Sequence, residues 1–177
     1  MILHYFIKNG TTDKKTAELI YQKIINNVNS IILCNSKVLK KDINTTFEIT
    51  SIFIISIFFG SKFKKNKDDF LILQEIMNLF TSDLDYSFRL YGIGDMNIGK
   101  NVKFYLKKFY FRVSTYEKIF DNSDIDSFIL FIKKLKIFHE SVNTKPVIEF
   151  LYDVSNKLIK ESKKRSVNSD FLSRLFI

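Results

Sequence analysis

Two histidines, one cysteine and three closely spaced aspartates are the residues of this 177-residue chain whose chemistry could go beyond packing. His4 and His139 lie in different segments, without acidic or sulfur neighbours at ligand spacing, so no metal site is expected. Stable haem ligation is not expected from them either. Cys34 has no nearby His to activate it as a nucleophile and reads as a small buried hydrophobe. As the lone cysteine it forms no intramolecular disulfide, which fits a reducing compartment. Gly92-Ile93-Gly94 looks like part of a phosphate loop, but it follows a helical pattern and lacks the third glycine of a dinucleotide fingerprint. Gly99-Lys100 lacks the upstream Gly and the downstream Ser or Thr of a P-loop. Asp83, Asp85 and Asp95 could form a metal or acid–base cluster. Yet Asp85 and Arg89 are four apart on one helix face, where an ion pair is the ordinary outcome. Asp95 is placed to cap a helix. No catalytic site, metal or cofactor is expected.

These residues sit in a chain patterned for helices. Five glycines and one proline are too few for the turns of an all-β fold, whereas 19 phenylalanines supply ample core. The expectation is an all-α, single domain over residues 1–177, about six helices around a long antiparallel helix–turn–helix hairpin from about Asp68 to Phe120. A first helix is read from Asp13 to about Asn29, capped by Thr12 or Asp13, with Ala17, Ile20, Tyr21, Ile24, Ile25 and Val28 on one face. A second is read from about Thr45 through Phe59, stopped by Gly60; its β-branched residues leave a strand as the alternative. The third opens at Asp68 or Asp69, carries a stripe from Phe70 through Phe80 and Phe88 to Tyr91, and ends at Gly92. The fourth starts near Met96. Its stripe of Val102, Leu106, Phe109, Val113, Tyr116 and Phe120 is the most regular in the chain. A fifth, capped by Asp124, carries Phe128, Ile129, Ile132 and Leu135. A sixth begins near Asn143 or Thr144 with Pro146 in its first turn and carries Val147, Phe150, Leu151, Val154 and Leu158.

The formal charge of +9 is mostly lysine, and codon bias in an AT-rich genome accounts for part of it. The remainder points to an anionic partner surface, nucleic acid or lipid headgroups. Residues 1–10 lack the charged start, apolar run and cleavage site of a signal peptide, and a bacterial cytoplasmic protein is the simplest reading. The most apolar run, Ile49 to Phe59, is 11 residues long, short of the about 20 that a span needs; it reads as a buried helix, with a membrane-surface or client-contacting segment as the alternative.

Read as a whole, Asp83-Leu84-Asp85-Tyr86-Ser87-Phe88-Arg89, Gly92-Ile93-Gly94-Asp95 and Gly99-Lys100 resemble the signature of the ubiquinol–cytochrome c chaperone family. That family's pattern is Asp-x-Asp-x-x-x-Arg, two residues, Gly-x-Gly-Asp, three residues, Gly-Lys, and about ten residues later Phe-Tyr-Gly-Arg. The later element here is Phe109-Tyr110-Phe111-Arg112, with Phe111 in place of glycine. Weaker matches are Ile20-Tyr21 and Phe47-Glu48, so the resemblance covers about Ala17 to Phe120. The family's second helix usually carries Leu-His and ends in two arginines. This chain has Ile52-Phe53 and Phe59-Gly60 there, so any role of those residues is absent or moved to the Lys62–Lys67 cluster. The short N-terminus looks like the bacterial members, which need no import sequence.

The resemblance implies a non-enzymatic chaperone that binds newly made cytochrome b and assists assembly of respiratory complex III. Its expected place is the cytoplasm, at the inner face of a bacterial inner membrane. Mitochondrial members act with a small partner subunit and associate with the ribosome, so both are implied as further partners. From the residues themselves, the apolar and basic face of the fourth helix adds peripheral contact with an anionic membrane surface as an expectation. Asp83, Asp85, Arg89, Gly92, Gly94, Asp95, Gly99, Lys100 and Arg112 are expected to shape the hairpin. Phe53, Lys64, Lys65, Lys103, Phe104, Lys107 and Phe111 are the candidates for client or membrane contact. Phe104 and Phe111, seven apart and off the core stripe, are either exposed or packed under another helix. Two other classes stand against the chaperone. A basic helical nucleic-acid- or ribosome-binding module would use Arg-rich contacts, though no specific DNA is expected. An enzyme on the Asp83–Asp95 carboxylates would need a metal or a concave pocket at the turn.

Overall fold

The computed structural model describes the backbone of residues 2–62, 67–164 and 167, and side chains of residues 14–62, 69–164 and 167. Six helices follow one another: α1 (Ile2–Cys34), α2 (Ile43–Ser61), α3 (Lys67–Leu90), α4 (Asp95–Asn122), α5 (Ile125–Lys133) and α6 (Lys145–Lys164). Among the described residues the only β pairing is an isolated antiparallel bridge, Leu39 with Phe138, which ties the α1–α2 connection to the α5–α6 connection.

The centre of the fold is α2. Asp42 caps it, its carboxylate accepting the Thr45 N–H at 2.7 Å. Fifteen of its nineteen residues are buried, and α1, α3, α4 and α6 all pack on it. A helix apolar on every side has to be enclosed. By length and composition α2 could cross a membrane; the packing of its neighbours, not a shortage of residues, keeps it in the core. Each fully buried Ile or Phe contributes roughly 1.5–3 kcal/mol.

Gly60 does not stop α2, contrary to the pattern. It lies inside the helix, and the Lys62 N–H closes the end on the Phe58 carbonyl at 2.9 Å. Its role is close approach. A Cβ there would stand 2.5 Å from Ser162 Cβ and 2.6 Å from the Ile159 carbonyl oxygen of α6. Small residues line the same contact: Ser56, Ser155 and Ser162 are buried, each hydroxyl donating to the carbonyl four residues earlier.

Other boundaries also move. Helix α1 runs through Thr12 and Asp13 without a cap there and ends at Cys34, which is exposed and not a core residue. Ile31 and Ile32, buried beyond the regular stripe, carry it past Asn29. Phe70 and Phe150 are exposed at the margins of their helices' buried stripes, and Tyr91 is exposed just past the end of α3. Leu135 is buried but lies past the end of α5. Asp124 caps α5 as expected, accepting the Ser127 hydroxyl and, at 2.9 Å, the Ser127 N–H; these hydrogen bonds, the hydroxyl's first, hold its carboxyl below the usual carboxylate range.

Gly60→Ala is expected to destabilise the protein by about 1–3 kcal/mol through overpacking of α2 on α6. A urea-unfolding midpoint equal to wild type would contradict that contact.

Candidate functional site

The α3–α4 hairpin is held by charged residues with distinct tasks. Its turn is a glycine cap. Gly92 has φ +74°, its N–H donates to the Arg89 carbonyl at 3.0 Å, and the Ile93 N–H reaches the Phe88 carbonyl at 3.1 Å. Asp95 does not cap α4; Gly94 occupies that position without a side-chain bond. Asp95 accepts instead from Arg89 Nη1 at 2.6 Å, while Arg89 Nε donates to Asp85 at 2.7 Å. Arg89 thus clasps both ends of the turn. The Asp85 hydrogen bond and charge come first, with Asp95 adding, in raising its pKa above the ordinary value. Fully exposed to solvent screening, this clasp contributes little to stability. Gly94, Gly99 and Lys100 are exposed, and neither glycine sits against neighbouring atoms.

Asp83 faces away from that clasp, toward α1, where it accepts the Tyr21 hydroxyl at 2.8 Å. Burial first, then the Asp83 charge and hydrogen bond, push the Tyr21 phenol far above its ordinary pKa. The three aspartates therefore do not converge. Among the described residues no group of three or more His, Cys, Asp or Glu is gathered as a metal would need.

Arg112 turns into the core. Its Nε and Nη2 donate to Glu48 Oε2 and Oε1, each at 2.8 Å, a bidentate pair joining α4 to α2. Lys108, one turn earlier, reaches Glu48 Oε1 at 2.8 Å and Asn44 Oδ1 at 2.6 Å. Asn44 in turn donates to the Leu135 carbonyl at 3.0 Å. Glu48 is fully buried. Burial opposes the Arg112 charge, and the Glu48 bonds and charge outweigh it, leaving the guanidinium above its ordinary pKa. Aromatic rings enclose the cluster: Arg112 stacks 5.0 Å from the Phe131 ring, and Lys108 lies 5.1 Å from that of Phe47. The Tyr116 phenol is pushed well above its ordinary pKa by burial and the nearby Glu48 charge, against the lowering effect of Arg112. Its hydroxyl has no hydrogen-bond partner among the described residues.

Between α3 and α4 runs an open groove of about 870 Å³, whose walls include Thr81, Ser82 and Asp85 on one side and Val102, Leu106 and Tyr110 on the other. Lys103 and Lys107 stand at its rim, exposed, as are Phe104 (61%) and Phe111 (59%) farther round α4. Neither phenylalanine is packed under a neighbouring helix. Phe53, by contrast, is fully buried in α2, so it cannot meet a partner while the fold is intact. Lys64 and Lys65 lie outside the described residues. From the sequence, Lys108 reads only as one more lysine of a basic helix, and Glu48 has no task. The available signal was a lone carboxylate in an otherwise apolar helix, which demands a buried cation.

A family model described as ubiquinol-cytochrome C chaperone matches residues 38–130, from the approach to α2 into α5. Among solved structures, the fold is similar to that of the Cbp3 homolog from Brucella abortus, with a TM-score of 0.77 at 21% identity. That similarity covers 94% of this chain and 90% of the Brucella chain. No curated protein matches the sequence.

Glu48→Ala, which leaves Arg112 buried without its partner, is expected to cost about 3–5 kcal/mol in chemical denaturation. Tyr116→Phe, which deletes only an unpaired buried hydroxyl, is expected to leave the unfolding midpoint unchanged or raise it. The reverse order of effects would remove the ion cluster from its central place.

Proposed function

The chain belongs to the ubiquinol–cytochrome c chaperone family, and on that premise we propose that it binds newly made cytochrome b and assists assembly of complex III without catalysing a reaction. The observation that carries the reading is the match over residues 38–130, which contains the whole α3–α4 groove. An open groove with an apolar wall on α4, a polar wall on α3 and lysines at its edge suits an amphipathic segment flanked by acidic or headgroup-level residues. Val102, Leu106 and Tyr110 are the residues we assign to that contact. The proposed location is the cytoplasm at the inner face of a bacterial inner membrane, where such a client emerges. A ribosome and a small partner subunit belong to the same proposal, by analogy with the mitochondrial members. Arg89 is engaged within the hairpin and Arg112 with Glu48 of α2, which disfavours a nucleic-acid module built on these arginines.

Deleting the gene is expected to lower b-type haem in reduced-minus-oxidised membrane spectra, and to lower complex III with it. Tyr110→Glu in the groove is expected to reproduce that loss while the purified variant keeps its helical signal and melting temperature. Unchanged cytochrome b in the deletion strain would sink the function.

A further inference from the structure

From Met96 to Tyr116, α4 carries five cations and no carboxylate. Lys108 and Arg112 turn inward onto Glu48. Lys100, Lys103 and Lys107 are exposed and make no ion pair among the described residues. Nearby carboxylates are already engaged by other cations: Asp85 and Asp95 by Arg89, and Glu117 and Asp121 by Lys62 at 3.5 and 3.6 Å. The outward charge is therefore uncompensated within the fold. It is also interleaved with large apolar rings. Lys100, Phe104, Lys107 and Phe111 follow at spacings of four, three and four, which places them in one line along the helix. Both rings project into solvent.

We infer that this outward line of α4 rests on an anionic lipid bilayer. The lysine stems reach headgroup phosphates, and the rings of Phe104 and Phe111 sit at the boundary with the acyl chains. Alternating long cations and apolar rings on the free face of a helix are the features an interfacial segment uses. Charge complementarity selects the anionic surface. The side-chain chemistry separates lipid from nucleic acid: the arginine forks of the hairpin, Arg89 and Arg112, are tied to carboxylates, so only point-charge lysines face outward. The inference goes beyond the chaperone reading and is independent of it, because no client takes part.

The chain has no tryptophan, so Phe104→Trp and Phe111→Trp each provide a lone fluorescent reporter in the full-length protein. Mixed with vesicles of phosphatidylcholine and phosphatidylglycerol, both are expected to shift their emission to the blue. Phosphatidylcholine vesicles alone should give little shift. Phe150→Trp, exposed on α6, is the control and should not shift. In vesicle co-sedimentation each outward lysine is worth about five-fold, so the triple variant K100Q/K103Q/K107Q should bind roughly a hundred-fold more weakly. Its melting temperature should match wild type, and added salt should weaken wild-type binding. Equal vesicle binding by the triple variant, or a Phe150→Trp shift as large as that at position 104, overturns the inference. So does binding to single-stranded RNA in the absence of vesicle binding. Cytochrome b enters none of these measurements, so their failure is distinct from failure of the assembly function.

Discussion

A carboxylate on the one helix with almost every face covered constrains everything else. Glu48 has left water completely, a transfer that costs several kcal/mol for an ion and is offset only by near-ideal partners. It has them: the fork of Arg112 and the ammonium of Lys108, at three distances of 2.8 Å. Apolar contacts between α2 and α4 tolerate sliding and rotation, whereas a bidentate ion pair does not. Glu48 thereby sets which side of α4 faces inward. With Lys108 and Arg112 directed at α2, helical geometry leaves Lys100, Phe104, Lys107 and Phe111 outside and puts Tyr110 on the groove wall. The face that α4 presents to solvent is thus specified from the core.

The residues that make the family recognisable are mostly braces. Asp83 fastens α3 to α1, Arg89 clasps Asp85 and Asp95 across the turn, Gly92 supplies a backbone conformation other residues avoid, and Arg112 locks α4 onto α2. Asp85 also stands on the groove wall, so shape and lining overlap there. Elsewhere they separate: a strict set holds two helices at one separation, and neighbours outside the motif such as Val102 and Leu106 line the space between them.

Much of this was legible in the sequence because it is local. The six-helix architecture, the glycine end of α3, the Asp85–Arg89 pair and the Asp124 cap each depend on residues within four or five positions. What was not legible is what non-local approach decides. Gly60 looks like a helix stop, and only the nearness of α6 shows it to be a contact point. Asp95 looks like a cap, until Arg89 is seen to reach it across the turn. Phe53 looks available, but α2 is enclosed on sides its own periodicity does not reveal. Phe104 and Phe111 were undecided for the same reason: whether another helix covers α4's outer side is a question of topology, not of pattern.

The enclosure of α2 also bears on the order in which the chain assembles. Its most extensive partner is α6, and the Gly60–Ser162 contact joins residues about a hundred positions apart, a long loop to close before the core is complete. On a growing chain α2 emerges well before α6 exists to cover it. In that interval its apolar surface is open to solvent, to the bilayer or to other chains. A member of a chaperone family thus passes through a stage in which its own central helix needs shelter.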